Sequence, residues 1–376
     1  MRAPRLVAVL VLLAPASLAS AAALAGCGDL KNAQVTAEGG PGEIPDGGPG
    51  DTDGGSSGSL DGSVKVTVET LVSGRSRLGA RSTAGYRPWR SGLVVDKDTL
   101  FWVESGTAPG LYKSSAIAAC TVAFCVERLA TFARPSAFAA SATDVYVADT
   151  TLIKRFPLLD PAKVTTVVTH NEEIVNLATS GNKVFWTADT DPAMRATTIG
   201  GTTSTPINSN GTPVSIAVAG ARLFWAGVDI SGQIGAMQSV GTDGTGAREV
   251  NRFSAGFHTM RGNETFLYYG RDDPGSIHRI TLNSDHDEVV DKDALGVTDF
   301  ALDATHAYWV EPGDGDRTNG RVRRIAHDSK TAETLAVGIP FPVAIAVSGL
   351  NVYVASAGTA AASYADGKIL RLSLFQ

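Results

Sequence analysis

Three features of the sequence together predict an all-β chain. Seven short aromatic segments recur with a mean spacing of 42 residues, and a block of apolar and turn-forming residues precedes each of them without gaps. A lone alternating segment at 64–72 stands before the first repeat. Repeats of this length that hold several short strands are typical of a β-propeller. The sequence therefore predicts a single β-propeller over residues 64–376, with seven four-stranded blades closed by the N-terminal strand.

Each repeat contains a predicted β-hairpin. A bulky apolar residue lies eight positions before the central aromatic in every repeat, and a small or short residue follows it in all but one, where Arg261 stands. Turn-forming residues come five positions before the aromatic, so an apolar strand, a tight turn and an aromatic strand follow in order. The aromatic segments are Leu100-Phe101-Trp102, Val145-Tyr146-Val147, Val184-Phe185-Trp186, Leu223-Phe224-Trp225, Leu267-Tyr268-Tyr269, Ala307-Tyr308-Trp309 and Val352-Tyr353-Val354.

Two further strands are predicted in each repeat. Third strands are expected at segments such as Leu152–Leu158 and Arg321–His327, and fourth strands at segments such as Val164–Thr169 and Glu333–Val337. Helical repeats of similar length would need apolar residues at a 3.6-residue period over ten or more positions, and the sequence has no such stretch. Four third strands carry an arginine at the same place: Arg155, Arg279, Arg324 and Arg371.

The last repeat lacks a fourth strand of its own. After Tyr353 there is room for one more strand before Gln376, whereas Val64–Val72 alternates like a strand and belongs to no repeat. If Val64–Val72 supplies the missing strand, the ring closes and leaves no exposed sheet edge. Six or eight blades are the alternatives, because the repeat at Phe257–Tyr269 has the weakest pattern.

The N-terminal region is predicted to direct export. Residues 1–26 have the basic start, apolar run and small residues of a secretory signal peptide. The segment Leu24-Ala25-Gly26-Cys27 looks like the lipobox of bacterial lipoproteins, which implies that Cys27 carries lipid. The alternative is an ordinary signal peptide with an incidental cysteine. Residues 27–63 are then the lipidated cysteine and a flexible Gly/Asp/Ser-rich linker with a reach of roughly 30–35 Å.

The aromatic segments resemble the repeats of YWTD-type and NHL-like propellers. The YWTD motif is matched best by Phe101-Trp102-Val103-Glu104, Tyr146-Val147-Ala148-Asp149 and Tyr308-Trp309-Val310-Glu311. The resemblance covers most of residues 88–376 and implies a structural role for the motif. YWTD propellers usually have six blades, so the predicted count of seven departs from that family.

Two cysteines and the net charge limit the remaining chemistry. Cys120 and Cys125 are close in a chain expected to be exported, so we expect a local disulfide. A redox or metal pair would need a tighter spacing or further ligands nearby. The net charge of −6 argues against nucleic acid as a partner.

A candidate binding face is predicted from acidic loops. In a propeller, the loops between second and third strands share one face with the connections between blades, and loops on a rigid scaffold commonly carry function. A ring of carboxylates on that face would attract a cation or a basic partner. Turns favour aspartate in any case, which is the alternative explanation. The candidate residues are Glu104, Asp149, Asp189, Asp229, Asp272 and Glu311.

A metal site in the channel is the competing hypothesis. Regucalcin-like lactonases hold a metal there with carboxylates and amides, and only Asn176 and Asp299 match such positions here. Two ligands rarely hold a catalytic metal. The histidines lack metal-binding spacing, and His278 and His327 are expected to be exposed on third strands.

The sequence favours a binding module over an enzyme. The main prediction is a membrane-anchored lipoprotein of the cell envelope, on the outer membrane or the periplasmic side, that binds a protein, a peptide or a glycan. We expect a monomer with no nucleic-acid partner, which contacts the membrane through its lipid anchor only. No cofactor is expected, although a divalent cation is compatible with the sequence. The alternative function is a metal-dependent hydrolase or lactonase that uses the channel.

Overall fold

The computed structural model describes residues 64–80, 92–120, 122, 125–201, 203–207, 212–228, 234–252, 257–272, 275–294 and 296–375. The predicted signal peptide, Cys27 and the linker lie outside these residues. The described residues form β-strands joined by turns and loops. Within these ranges, no helix is long and apolar enough to cross a membrane.

The strands form seven four-stranded antiparallel sheets, which are the seven predicted blades. Blade 1 contains β2 (Leu93–Asp96), β3 (Thr99–Glu104), β4 (Gly110–Ser115) and β5 (Glu127–Thr131). Blade 2 contains β6 (Pro135–Ala140), β7 (Asp144–Asp149), β8 (Leu152–Pro157) and β9 (Thr165–Thr169). Blade 3 contains β10 (Ile174–Ser180), β11 (Lys183–Ala188), β12 (Met194–Thr198) and β13 (Ser204–Ile207). Blade 4 contains β14 (Thr212–Ala219), β15 (Arg222–Val228), β16 (Ile234–Gly241) and β17 (Arg248–Arg252).

The remaining blades follow the same order of strands. Blade 5 contains β18 (Phe257–Gly262), β19 (Phe266–Asp272), β20 (Gly275–Thr281) and β21 (His286–Asp291). Blade 6 contains β22 (Asp299–Leu302), β23 (His306–Glu311), β24 (Gly320–Ala326) and β25 (Glu333–Ile339). Blade 7 contains β26 (Pro342–Ser348), β27 (Asn351–Ser356) and β28 (Gly367–Phe375), with β1 (Lys65–Arg75) as its fourth strand.

The N-terminal strand closes the ring, as predicted. β1 pairs antiparallel with β28, from Lys65 opposite Phe375 to Arg75 opposite Gly367. The strand is three residues longer at its end than the predicted Val64–Val72 segment. The Arg371 guanidinium on β28 forms an ion pair with Glu69 on β1, which adds a side-chain contact to the backbone ladder.

The hairpin register explains the alternation of bulky and small residues. In blade 3, Leu177 pairs with Trp186, whereas Ala178 pairs with Phe185. An alanine opposite a ring leaves space on that face of the sheet, and Phe185 is fully buried. Arg261 stands opposite Tyr268 in blade 5. Its Nε donates to the Phe300 carbonyl at 3.2 Å, so this side chain reaches blade 6.

The hydrophobic core lies between the blades. The buried apolar residues form seven clusters, and each cluster draws on two adjacent blades. The cluster between blades 7 and 1 includes Leu71 of β1, Trp102 of β3 and Tyr353 of β27. Burial of large aromatic side chains contributes most of the packing energy in such interfaces. Each blade therefore depends on both of its neighbours, and the ring is closed by packing as well as by β1.

The recurring arginines have a shared structural role. Each lies opposite the central aromatic of its blade. Each guanidinium also pairs with a carboxylate within its own blade. The pairs are Arg155 with Asp144, Arg279 with Glu288, Arg324 with Glu333, and Arg371 with Glu69.

Candidate functional site

The loops define two faces of the propeller. One side of the propeller carries the loops between second and third strands and the connections between blades, and we call it the crossover face. It includes the described loops 105–109, 150–151, 312–319 and 357–366. The opposite side carries the turns between first and second strands and the loops between third and fourth strands, and we call it the turn face. The four predicted carboxylates whose side chains the structure describes, Glu104, Asp149, Asp189 and Glu311, come from the crossover side.

Glu104 and Glu311 are buried on this side and are paired within the protein. The Glu104 carboxylate accepts a hydrogen bond from Trp102 Nε1 at 2.8 Å and pairs with Arg75 Nε at 2.5 Å. Glu311 repeats the arrangement with Trp309 Nε1 at 2.8 Å and Arg321 Nε at 2.7 Å. The two residues are 2% and 1% exposed. Glu104 therefore links blade 1 to β1 of blade 7, Glu311 stabilises blade 6, and neither carboxylate is presented to a ligand.

Asp149 is also buried and forms part of the scaffold. Its Oδ1 accepts hydrogen bonds from the backbone N–H groups of Ala133 and Arg134, both at 2.9 Å. Its Oδ2 lies 3.2 Å from Lys154 Nζ. The carboxylate thus fixes the connection between blades 1 and 2, and the structure assigns it to blade packing.

Asp189 is the predicted candidate that the structure exposes. It lies beside Glu172 and Glu173. Partial desolvation raises the pKa of Asp189, and the charges of Glu173 and Glu172 raise it further. Glu173 is paired with Arg134 at 2.9 Å. Asp189 therefore marks a locally negative spot in blade 3.

The other two predicted carboxylates are not brought into that cluster by any described contact. Asp229 lies outside the described residues. Asp272 is the last residue of β19, opposite Gly275, and its side chain is outside the described part.

Asn176 and Asp299, the candidate metal ligands, join blades to each other. Asn176 Nδ2 donates to Thr187 Oγ1 at 2.8 Å and to the Pro213 carbonyl of blade 4 at 3.4 Å. Asp299 Oδ2 accepts from the backbone N–H of Ile345 in blade 7 at 3.1 Å. Among the residues that the structure describes, no three His, Cys, Asp or Glu side chains come together as a metal site.

A hydrogen-bonded cluster around His278 in blade 5 was not expected from the sequence. Ser276 Oγ lies 3.2 Å from His278 Nε2, and His278 Nδ1 lies 3.3 Å from Asp287 Oδ1. Asp287 also accepts from Tyr269 Oη at 2.7 Å. This connectivity is that of a nucleophile, base and orienting acid. Ser276 is only 3% exposed, however, so we assign the cluster to the core of blade 5.

The two third-strand histidines differ from the expectation of exposure. His278 is 7% exposed, because it stacks on Tyr269 with ring centroids 4.8 Å apart. His327 is half-buried and its Nδ1 lies 2.9 Å from Tyr268 Oη of the preceding blade. Tyr269 and Asp287 of its own blade cover His278, and Tyr268 of the preceding blade contacts His327, so strand position alone did not predict their burial.

The turn face contains a concave depression of about 460 Å³. The turns between first and second strands of blades 2 to 5 form it, with two or three residues from each turn. Blades 4 and 5 approach closely here, since Gly220 N donates to the Asn263 carbonyl at 2.9 Å and a Cβ on Gly262 would lie 2.3 Å from Ala219 Cβ. The lining residues are Ala140, Ser141, Ala142, Thr179, Ser180, Gly181, Val218, Gly220, Gly262, Asn263 and Glu264.

Internal hydrogen bonds fix the polar groups of the depression. Thr179 Oγ1 donates to the Ala140 carbonyl at 2.9 Å. Asn263 Oδ1 accepts from Thr265 N at 2.9 Å and Phe266 N at 2.8 Å, which leaves its Nδ2 as the group directed away from the turn. The sequence marked these positions as turns, but it gave no sign that four turns would meet.

Comparisons with known proteins agree on the fold. No family model matches the chain, and no curated protein matches its sequence. A catalytically inactive virginiamycin B lyase from Staphylococcus aureus, solved with quinupristin, is similar with a TM-score of 0.61 and 15% identity, over 83% of this chain and 100% of that chain. The chain is a β-propeller. At this identity the likeness concerns the fold alone.

Two other solved structures have similar folds. A chain of the mitotic checkpoint complex has a TM-score of 0.58 at 12% identity, over 86% of this chain and 96% of that chain. The computationally designed Ika8 protein has a TM-score of 0.50 at 13% identity, over 76% of this chain and 84% of that chain.

Proposed function

We propose that this chain is a binding module of the cell envelope, tethered to a membrane through lipid on Cys27. The observation that carries the binding role is the depression on the turn face. Four blades contribute to it, and their packing holds its shape. A preformed concave site on a rigid scaffold favours binding, because few protein groups have to be ordered when the ligand binds.

The chemistry of the depression suits a polar ligand with hydroxyl or amide groups. Ser180, the Asn263 amide nitrogen and backbone groups around Gly181 supply donors and acceptors at its surface. Glu264 is the single charged residue among the described residues that line it, and it would accept a hydrogen bond from a ligand hydroxyl or ammonium group. A glycan or an extended peptide segment of a protein fits these groups.

Two propellers of similar fold were solved in complexes. The lyase was solved with quinupristin, and another similar chain belongs to the mitotic checkpoint complex. Because these likenesses concern the fold, the choice of ligand rests on the residues of the depression. A metal-dependent hydrolase finds no support in Asn176 and Asp299, whose side chains are engaged between blades.

Crosslinking in intact envelopes, followed by mass spectrometry, tests the binding role. We expect a partner that is captured by the wild type and lost in Ser180→Trp, because the added indole ring fills the depression. Thr318→Trp adds the same ring to an exposed loop of the crossover face and should retain the partner. Loss in Thr318→Trp alone would move the binding surface to the crossover face, and no partner in any variant would contradict the proposal.

The tether is tested separately from the ligand. Wild-type protein is expected in the membrane fraction and should incorporate an alkyne-labelled fatty acid. Cys27→Ala should abolish the label, whereas Cys120→Ala should retain it. A wild-type chain without label would contradict lipid anchoring.

A further inference from the structure

Exposed apolar side chains are concentrated on one part of the turn face. Eight large apolar residues of the described chain are exposed, and none of them lies in a loop of the crossover face. Two of the eight, Val289 and Val337, lie on fourth strands. The other six come from turn-face loops and strand ends of blades 7, 1 and 2, and we call them the apolar edge: Ile117, Val122, Leu159, Val164, Leu350 and Phe375.

The apolar edge is held in place by specific contacts. The disulfide between Cys120 and Cys125 closes the loop that carries Ile117 and Val122. Cys120 N donates to the Leu71 carbonyl of β1 at 2.6 Å, and Arg371 Nη1 donates to the Ile117 carbonyl at 2.9 Å. These bonds fasten the loop of blade 1 to blade 7. The loop therefore presents its apolar side chains in a fixed position across the junction at which the ring closes.

The tether joins the propeller at this same edge. β1 starts at Lys65, and Lys65 stands opposite Phe375 in the sheet. The 36 residues from 28 to 63 connect this point to Cys27, so the edge is the part of the propeller nearest the anchor along the chain. A tether of this length keeps the edge at a high effective concentration next to the membrane, so a weak contact is enough for docking.

We infer that the apolar edge docks on the surface of the membrane to which the chain is tethered. The inference rests on the proposed lipid anchor. Side chains such as Leu159, which is 88% exposed, and Phe375 would enter the boundary between headgroups and acyl chains. Docking by this edge leaves blades 4 and 5, on the other side of the ring, away from the lipid. The depression, to which blade 2 also contributes, then lies close to the membrane, with its blade 4 and blade 5 side farthest from the lipid.

Charge does not drive this docking. The turn-face loops and strand ends of the three blades carry three basic residues, Lys65, Lys97 and Lys163, and five acidic residues, Asp96, Asp98, Glu127, Asp144 and Asp160. Glu127 pairs with Lys113 and Asp144 with Arg155, so the remaining three acids face three basic residues. The balanced charge predicts docking on zwitterionic as well as anionic lipid, with little dependence on salt.

Depth-dependent quenching in proteoliposomes tests the inference. The full lipidated chain carries Leu159→Cys, labelled with a small polarity-sensitive fluorophore, in phosphatidylethanolamine/phosphatidylglycerol vesicles that contain spin-labelled lipid. Asp316→Cys, exposed on the crossover face, is the matched control. We expect quenching at position 159 that is several-fold greater than at position 316. Adding Ile117→Ser and Phe375→Ser should reduce the docked fraction by about tenfold or more.

The outcomes separate docking from anchoring. A chain that floats with the vesicles but shows equal quenching at positions 159 and 316 overturns docking and leaves the tether intact. A chain that does not float overturns the anchor and, with it, the docking that depends on it. A fluorescence change at position 159 in solution without lipid, together with a dimeric mass, assigns the edge to a second copy of the chain and also overturns the inference.

Discussion

Glu311→Gln tests whether the acids at the ends of second strands stabilise the propeller scaffold. The Glu311 carboxylate is buried, accepts from Trp309 Nε1 at 2.8 Å and pairs with Arg321 Nε at 2.7 Å. The glutamine amide oxygen can still accept the indole hydrogen bond. The substitution therefore removes the negative charge that faces Arg321 and, at 3.8 Å, Arg323, while it retains the shape of the side chain.

The expected loss follows from the burial of both partners. Removing one partner of a fully buried ion pair costs about 3–5 kcal/mol. The Arg321 side chain is 29% exposed, so water solvates part of its charge and the expected loss falls to about 2 kcal/mol. Glu333→Gln in the same blade is the control. Glu333 pairs with Arg324 at 2.8 Å but is 54% exposed, so its loss should be below about 1 kcal/mol.

Urea unfolding followed by tryptophan fluorescence measures the two losses. At pH 7 the midpoint of Glu311→Gln should fall well below that of Glu333→Gln, with an unchanged slope. High salt should reduce the effect of Glu333→Gln and leave most of the effect of Glu311→Gln, because buried charges are poorly screened. Equal losses for the two variants would refute the assignment of Glu311 to the scaffold.

Three further changes test other contacts. Burial raises the pKa of Asp287, but hydrogen bonds from His278 and other neighbours outweigh burial and lower it. Because the pKa of Asp287 is lower in the folded protein than in the unfolded chain, the ionised carboxylate stabilises the fold at pH values above the ordinary carboxyl pKa. This stabilisation is lost as the pH falls, so Asp287→Asn should lower the urea midpoint more at pH 7 than at pH 3. Asp299→Ala should cost about 2 kcal/mol in thermal unfolding, because it leaves the buried N–H of Ile345 without its acceptor. Replacing both cysteines of Cys120–Cys125 by serine should cost about 2 kcal/mol by the same measurement.

Controls distinguish these effects from general destabilisation. Asp160→Asn removes a carboxylate that is 48% exposed and pairs with Lys163, and it should cost less than about 1 kcal/mol of stability. If Asp287→Asn lowers the midpoint equally at both pH values, its charged hydrogen bonds do not contribute as described. An Asp299→Ala protein with wild-type stability would speak against the contact between blades. If reduction of the wild-type disulfide leaves the midpoint of thermal unfolding unchanged, the disulfide does not contribute the expected stabilisation of about 2 kcal/mol.

The hairpin pattern was predictable because its physics is local. A bulky residue opposite Trp186 and an alanine opposite Phe185 are set by the register of a two-stranded turn. That register depends on residues within ten positions of each other, so the sequence displays it directly. The closing strand was predictable for a related reason. The alternating segment Val64–Val72 belongs to no repeat, and the last repeat is the one that lacks a fourth strand.

The candidate site depended on contacts that the sequence does not display. Glu104 looked like an acid at the start of an exposed loop, but its partner Arg75 lies on β1, 29 residues earlier in the chain. His278 is buried because residues of neighbouring strands cover it. The depression arises where the turns of four blades meet, and no single turn contains a sign of it. Contacts between strands, both within a blade and between blades, thus decide which of the recurring polar residues are exposed.

The pairing of β1 with β28 also sets the order in which the ring can form. Lys65 emerges from the ribosome about 300 residues before its partner Phe375. At synthesis rates of roughly 5–20 residues per second, β1 waits on the order of 15–60 s before β28 exists. During that interval an alternating strand with unpaired backbone groups can pair with a strand of another chain. Closure by β1 therefore has to wait for β28, and the nascent protein needs protection at its N-terminal strand until β28 has been made.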